Sequence, residues 1–306
     1  MWQRFKTKLT TEWFIELNHD PRRAIALAGC ERSGTTWVAN LINHSRDFRL
    51  LFEPLRPDMA YTKGLNHRVY IRPGDPAPEM RALMDRIFSG RVRDPHLDHL
   101  NERWLCTRRL AKFVRANLLL KWMIATFPFV PAVFLVRHPF AVASSRLRKG
   151  WNWFPSMKGF LFQQPALRED LLDRHVDRFE RAEGALVQQV LIWCVEHAIP
   201  FRHLAPDDVH TVFYEDLVLR PRETIPALLQ SIGVPEDDRV FSVSEIRSAT
   251  SNRDTVRLVD ADFLMREMNI TRSEIDAALE TLHAFGLDHV YGPGSEPMTR
   301  QPFGLS

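Results

Sequence analysis

The sequence predicts an α/β protein with three layers, in which a central parallel sheet is flanked by helices. Short apolar runs of strand length alternate with segments whose apolar residues recur every three or four positions. This alternation is typical of parallel sheets, whose strands are buried on both faces and need long crossover connections. A glycine-containing loop joins the first predicted strand to the first predicted helix, so ligands are expected at the carboxyl ends of the strands.

The predicted strands are short apolar runs, and the predicted helices each show one apolar face. The strands are 24–29, 48–52, 117–122, 132–136 and 209–213. The helices are 35–43, 79–88, 139–147, 171–197, 221–232 and 271–285. Pro139 suits the first turn of its helix, and Gly233 suits the end of the helix before it. Residues 2–17 also show helical spacing, with Lys and Arg between the apolar positions. They predict an amphipathic helix packed on the domain, and contact with a membrane surface is the less favoured interpretation.

Length and composition favour one large domain over residues 1–306. Its core is expected to comprise about 22–54 and 102–290. The segment of about 55–101 is rich in Pro, Arg, Asp and His, which predicts an insertion of loops and one short helix outside the core. The tail holds a polar loop over 244–257 before its last helix.

Charge and cysteine content exclude several classes of protein. The 41 Lys and Arg against 38 Asp and Glu give a net charge of +3, too mild to predict a nucleic-acid partner. No apolar run is long enough to span a bilayer, and no signal peptide is visible. The three cysteines are far apart, as expected of reduced thiols in a cytoplasmic protein. His96 and His99 lack a third ligand in register, so no metal site is predicted.

The loop after the first strand predicts a phosphate-binding site. Residues 24–37 read AIALAGCERSGTTW, in which Gly29 and Gly34 keep the glycine spacing of a Walker A loop. The Walker Lys is missing, and Arg32 stands inside the loop instead. A glycine at a helix start lets backbone amides approach an anion, and Thr35 and Thr36 add hydroxyl donors. A nucleotide phosphate is therefore the expected ligand, whereas ATP hydrolysis fits poorly without the Lys.

Charged residues lie at or near four predicted strand ends. Arg32 follows the first strand, Glu53 the second and Arg137 the fourth, while Lys121 lies in the third. Because parallel strands end at one edge of a sheet, these side chains are expected to converge. Arg137 stands where a nucleotide triphosphatase would place a magnesium-binding Asp, and a guanidinium is instead a strong phosphate partner. Ser145, two helical turns further on, is expected to contact the same anion.

Three segments resemble the sulfotransferases that use 3′-phosphoadenosine 5′-phosphosulfate (PAPS). ERSGTTW is similar to their phosphosulfate-binding loop, RHPFAVASS to their 3′-phosphate motif, and FYEDL to the segment whose Tyr lies against the adenine. The resemblance implies a P-loop-like fold, PAPS as co-substrate, 3′-phosphoadenosine 5′-phosphate (PAP) as product, and no metal. The donor-binding residues that it implies are Arg32, Ser33, Gly34, Thr35, Thr36, Trp37, Arg137, Ser145 and Tyr214, with Arg253 as a weaker candidate for the C-terminal contact.

Within that family, LFEP at 51–54 resembles the carbohydrate and tyrosylprotein sulfotransferases. The resemblance implies that Glu53 is the catalytic base, and partial desolvation is expected to raise its pKa. The alternative is a structural carboxylate paired with Arg56 or a helix N-terminus. Arg32 and Lys121 are expected to stabilise the leaving group. The expected acceptor is a hydroxyl on a carbohydrate or glycoconjugate, and the absence of an N-terminal anchor favours a soluble bacterial member.

Two other functions remain open at this point. A nucleotide or small-molecule kinase of the P-loop class would need ATP, Mg²⁺ and a metal-binding carboxylate. A non-catalytic module that binds phosphoadenosine or an acidic glycan would have no use for Glu53. Two surface features are open as well. Trp151, Trp153 and Phe154 are suited equally to stacking on an acceptor and to capping the core. The insertion's basic residues fit a solvated loop face better than an acidic-glycan groove; they are Arg56, Lys63, Arg68 and Arg72.

Overall fold

The structure, a computed structural model, describes residues 15–151, 153–245 and 258–304. The N-terminal helix predicted over 2–17 falls almost wholly outside these residues, as does Arg253. The strands are β1 (Ile15–Glu16), β2 (Ala24–Gly29), β3 (Phe48–Phe52), β4 (Leu105–Cys106), β5 (Arg108–Phe113), β6 (Ala132–Val136) and β7 (His210–Phe213). The helices of the first half are α1 (Thr35–Ile42), α2 (Pro78–Phe88), α3 (Pro95–Asp98), α4 (Leu120–Thr126) and α5 (Pro139–Leu147). Those of the second half are α6 (Phe154–Phe162), α7 (Pro165–Asp170), α8 (Val176–Glu180), α9 (Ala185–His203), α10 (Tyr214–Leu219), α11 (Pro221–Ser231), α12 (Arg239–Glu245), α13 (Ala261–Met268) and α14 (Arg272–Ala284).

Five strands form a parallel sheet in the order β3-β5-β2-β6-β7. Side chains alternate between its faces, as the strand period of two requires. Ile25 and Leu27 of β2 pack in the apolar cluster formed with α1 and α11. Ala26 and Ala28 pack in the opposite cluster with α5, α9 and α14. Both faces of the sheet are thus covered by helices, and the predicted three-layer α/β fold is confirmed.

Strand β5 was not among the predicted strands, although it is an inner strand of the sheet and pairs with β3 and β2. Its sequence, RRLAKF, carries three basic residues and lacks the continuous apolar run of a buried strand. Arg109 and Lys112 are nevertheless buried, because each has an acidic partner. Arg109 pairs with Glu16 at 2.9 Å, and Lys112 with Glu53 at 3.1 Å. These two acidic partners, Glu16 in β1 and Glu53 just after β3, compensate the buried charges of the strand.

The strand predicted over 117–122 is wrong. Asn117–Leu119 form a 3₁₀ turn that continues into α4. Leu118, Leu119 and Leu120 are buried in the core, as a buried strand would be, but their backbone is helical. A short apolar run bounded by polar residues fits a buried strand and a buried helical turn equally well.

The single helix predicted over 171–197 is also wrong. That segment holds a 3₁₀ turn over Leu172–His175, the short α8, and then α9 from Ala185 onward. Gly184, with φ of 81°, precedes α9 and separates it from α8. The apolar spacing persists across the break because both pieces pack on the same core.

The segment 55–101 was predicted to lie outside the core, but part of it is buried there. Met84, Ile87 and Phe88 of α2 are fully buried in the same apolar cluster as α9. The other predicted helices of the chain match within about two residues. Within the described residues, no helix is both long and apolar enough to cross a bilayer.

Candidate active site

The phosphate-type loop lies at the carboxyl end of β2, in the centre of the sheet. Gly34 is the N-cap of α1, with φ of 100° and no side-chain hydrogen bond to the first turn. The Ser33 hydroxyl donates to the Cys30 carbonyl at 2.7 Å and fixes the loop. Thr35 and Thr36, both buried, begin the helix. The first-turn amides therefore point at a place where an anion can accept from them.

Two guanidinium groups flank this loop. The Arg32 Nε donates to Ser145 Oγ of α5 at 2.9 Å, and the Arg137 Nη1 donates to the Arg32 carbonyl at 3.1 Å. Both arginines thus meet at the end of β6, as the sequence predicted for converging strand ends. Trp193 Nε1 of α9 donates to the Arg137 carbonyl at 3.0 Å and holds that backbone.

An aromatic pair borders the same loop. The Trp37 and Tyr214 rings meet edge to face with centroids 5.3 Å apart, and the Arg137 guanidinium lies 4.1 Å from the Tyr214 centroid. Tyr214 begins α10 directly after β7, and its neighbour Glu215 is fully buried. Glu215 accepts from the His138 backbone and from the Tyr291 hydroxyl, each at 2.9 Å. The bond to His138 joins the segments that follow β6 and β7, and the bond to Tyr291 connects them to the C-terminal part of the chain.

Glu53 follows β3 and lies against β5. Its carboxylate contacts Lys112 Nζ at 3.1 Å and Arg115 Nη1 at 3.0 Å. The Lys112 ammonium also lies 3.4 Å from the Thr36 hydroxyl of α1 and over the Phe52 ring. Lys112 therefore connects the carboxylate to the first turn of the phosphate loop's helix. The alternative partner Arg56 instead contacts Asp58 and His96.

The pKa values in this cluster follow from burial and charge. Burial favours a higher pKa for Glu53, but Lys112 and Arg115 outweigh it and hold the pKa below the ordinary value. This overturns the expectation that desolvation would raise it. Burial lowers the pKa of Lys112 to about 8, against the opposing attraction of Glu53. Glu53 is thus ionised at neutral pH, and Lys112 is largely charged.

A model of the sulfotransferase family matches residues 24–238, which include the loop after β2, Glu53, Arg137 and Tyr214. The chain belongs to the sulfotransferase family. The predicted enzyme class, a PAPS-dependent sulfotransferase, is confirmed. None of the curated proteins matches the sequence of this sulfotransferase.

Solved structures similar to this sulfotransferase include two further sulfotransferase domains. The domain from the curacin biosynthetic pathway is 15% identical, with a TM-score of 0.44, over 88% of this chain and 99% of that one. The domain from the Synechococcus PCC 7002 olefin synthase is 16% identical, with a TM-score of 0.42, over 86% and 94%. Mouse sulfotransferase SULT7A1 complexed with PAP is 14% identical, with a TM-score of 0.40, over 92% and 89%.

Lys121 is not brought to the active-site edge of this sulfotransferase. Its ammonium, on α4, contacts Asp208 at 2.6 Å. Asp208 comes two residues before β7, so the pair lies at the amino end of that strand. Glu53 and Tyr214 follow the carboxyl ends of their strands, at the opposite edge. The position expected for Lys121 is held by Lys112. The sequence signal for Lys112 was weak because β5 itself was not recognised.

Sequence reasoning also missed a row of alternating charges behind the loop. Glu31 contacts Arg115 at 2.5 Å and Arg68 at 2.8 Å. Arg68 continues to Glu196 of α9 at 2.7 Å, and Glu196 to Arg146 of α5 at 2.9 Å. All of these side chains are buried or nearly so. The sequence signal for this row was the position of Glu31, which follows the buried Cys30 directly after β2.

The basic residues Arg68 and Arg72 of the insertion are paired with acidic side chains of the protein. Arg68 is buried in the row just described, and Arg72 contacts Asp170 at 2.7 Å and Glu169 at 2.5 Å. An acidic-glycan groove built on these two is therefore unsupported. The aromatic residues Trp151 and Trp153 contact each other, and Trp153 meets His67 of the insertion at 5.7 Å. Phe154 is buried in the core.

Proposed function

We propose that this sulfotransferase moves the sulfuryl group from PAPS to an acceptor hydroxyl, with Glu53 as the base. The observation that carries the proposal is the position of Lys112. Its ammonium lies between the Thr36 hydroxyl, at the start of the donor loop's helix, and the Glu53 carboxylate. One cation thus faces both the place where negative charge develops and the group that takes the proton.

The residues around the loop fit an anionic nucleotide donor. The open first turn of α1 offers amide donors, and Arg32 and Arg137 supply fixed positive charge beside it. We propose Ser33, Gly34, Thr35 and Thr36 as the 5′-phosphate cradle. The remaining donor contacts that we propose are Arg137 and Ser145 for the 3′-phosphate, Trp37 and Tyr214 for the adenine, and Arg253 as a C-terminal contact.

Each charged side chain then has one task. Glu53 accepts the proton of the acceptor hydroxyl, which makes that oxygen a better nucleophile. Arg32 and Lys112 donate hydrogen bonds to the departing oxygen, where negative charge grows as the bond to sulfur breaks. PAPS supplies the sulfuryl group and leaves as PAP. We propose that no metal takes part, because Arg137 stands where a metal-binding carboxylate would be needed.

The proposed acceptor is a carbohydrate or glycoconjugate hydroxyl. This rests on the position of Glu53 in LFEP, which resembles the glycan and tyrosylprotein branches. The proposed location is the cytoplasm, because all three cysteines are free thiols. We also propose that residues 1–306 form one domain, since the insertion shares the apolar cluster of the core.

Sulfate transfer from ³⁵S-labelled PAPS, measured across a panel of glycan and phenol acceptors with and without EDTA, tests the function. We expect labelled product from carbohydrate acceptors and the same rate in EDTA. Glu53→Gln should abolish the transfer, because the proton acceptor is lost and Lys112 and Arg115 lose a charged partner, while PAP still binds in calorimetry. Phosphate transfer from ATP that needs Mg²⁺, without any sulfate transfer, would establish the kinase alternative instead.

The pH dependence of kcat/KM should report Lys112. The ammonium is charged below its pKa of about 8, so leaving-group stabilisation is complete there and is lost as the pH rises through that value. The charged groups facing Lys112 are Glu53, Arg115 and Glu31. We expect kcat/KM to fall above about pH 8, measured with saturating acceptor and limiting PAPS. In Lys112→Arg, residual activity should show no such fall, since a guanidinium stays charged. A wild-type profile that is level to pH 10 contradicts the assignment.

A further inference from the structure

Arg115 joins Glu53 to the phosphate loop. It follows the end of β5, and its guanidinium contacts Glu53 Oε2 through Nη1 at 3.0 Å and Glu31 Oε1 through Nη2 at 2.5 Å. Its side chain is only 12% exposed. A planar guanidinium holds two carboxylates in a defined relative position, which a flexible ammonium does not.

The backbone at Glu53 is also constrained. Glu53 has φ of 54°, a left-handed conformation that is strained for a residue with a side chain. Its amide donates to the Lys112 carbonyl of β5 at 2.9 Å. Strain of this kind persists only where surrounding contacts hold it. Here Lys112 of β5 contacts both the backbone and the carboxylate of Glu53, and Arg115, just after β5, contacts the carboxylate from a second side chain.

The other end of the arrangement is anchored in the core. Glu31 is buried, and although burial opposes ionisation, Arg68 and Arg115 bring its pKa down to about 2. Arg68 is held in turn by Glu196. Glu31 therefore stays ionised over the working pH range and gives Arg115 a fixed partner. Because Glu31 directly precedes Arg32, the anchor belongs to the loop that contacts the donor.

We propose that Arg115 is a positioning residue that aims Glu53 at the acceptor hydroxyl and keeps it in register with the phosphate loop through Glu31. The inference rests on the proposed role of Glu53 as the base. Arg115 acts through Glu53, so two effects are separable. Its geometry sets the direction of the carboxylate, and its charge helps to keep that carboxylate ionised.

Two variants separate geometry from charge. Arg115→Lys keeps the charge, but its ammonium reaches only one carboxylate at a time. We therefore expect kcat to fall about 10-fold to 100-fold while the pH dependence of kcat stays the same as in the wild type. Arg115→Gln loses both, so kcat should fall and the acid limb of its pH profile should move upward by about one to two pH units. The other groups facing Glu53 are Lys112 and His96, which both variants retain.

Arg72 provides a matched control, because it also contacts two carboxylates, Asp170 and Glu169, but outside the active site. Arg72→Gln and Arg72→Lys should leave kcat and the pH profile unchanged. PAP affinity and the thermal unfolding midpoint, measured for every variant, show that the protein is folded. If Arg115→Gln does not fold, Arg115→Lys carries the test through its loss of kcat.

The inference is overturned if folded Arg115 variants keep the wild-type kcat, or if their loss lies wholly in the KM for PAPS. Glu53→Gln distinguishes this from failure of the proposed function. If Glu53→Gln retains transfer, Glu53 is not the base and the proposed mechanism fails. If Glu53→Gln is inactive while the Arg115 variants behave as wild type, only the role of Arg115 is wrong.

Discussion

Replacing Lys112 with Met lowers kcat for sulfuryl transfer by about 10²-fold to 10³-fold, the loss that follows removal of one donor to a developing oxyanion. Lys112 is buried and lies between Thr36 and Glu53, so its ammonium acts where water does not screen it. Met fills a similar volume without charge, so packing against the Phe52 ring persists. Single-turnover rates with labelled PAPS measure the effect on the chemical step.

Lys121→Met is the paired control. Lys121 contacts Asp208 at the amino end of β7, at 28% side-chain exposure, so its loss should change the transfer rate by less than about twofold. The opposite ranking, with Lys121→Met impaired and Lys112→Met near normal, would return the role to the residue that the sequence predicted. PAP binding by calorimetry should be measurable in both variants.

Gly34→Ala weakens PAP binding by about 10-fold to 100-fold, the effect of one to three kcal/mol of overpacking. A Cβ at this position would lie 2.6 Å from Cε2 of Tyr214, and φ is 100°. The ring or the loop must move, and either movement disturbs the aromatic pair of Trp37 and Tyr214 at the helix N-terminus. Calorimetric titration with PAP measures the loss.

Gly64→Ala controls for the backbone strain alone. Gly64 has a similar φ of 86°, but a Cβ there would meet no atom within 4 Å. We expect its PAP affinity to equal that of the wild type, with at most a small drop in the unfolding midpoint. Equal losses of affinity in the two variants would mean that the Tyr214 contact does not shape the donor site.

Local pattern was sufficient for most of the fold. Apolar runs and helix signals predicted β2, β3, β6 and β7 and the helices that begin at Thr35 and Pro139. Strand β5 was missed because its basic residues interrupt the apolar run that predicts a buried strand. Arg109 and Lys112 are buried there only because Glu16 and Glu53, which are distant in sequence, pair with them. The strand predicted over 117–122 was wrong because an apolar run of this length also fits a buried helical turn.

The candidate site divides in the same way. The loop after β2, Arg137 with Ser145, and Tyr214 are local motifs, and the structure brings them together at one edge of the sheet. Lys112 and Arg115 lie in no motif. The parallel register of β3 and β5 places Lys112 beside Glu53, and Arg115 contacts Glu53 from the segment just after β5. Lys121 had been assigned to a strand that does not exist, and it lies at the opposite edge of the sheet, near the amino end of β7.

The sequence by itself determined the fold class through its alternating apolar runs and helical spacing, and it determined the family through the resemblance of three short motifs. Both depend on residues that are neighbours in the chain. Only the tertiary structure decided which lysine faces Glu53 and in which direction the pKa of Glu53 moves. Burial alone would raise that pKa, but Lys112 in β5 and Arg115 just after β5 lower it. Electrostatics of this kind depends on distances across strands, and these are set only when the sheet is assembled.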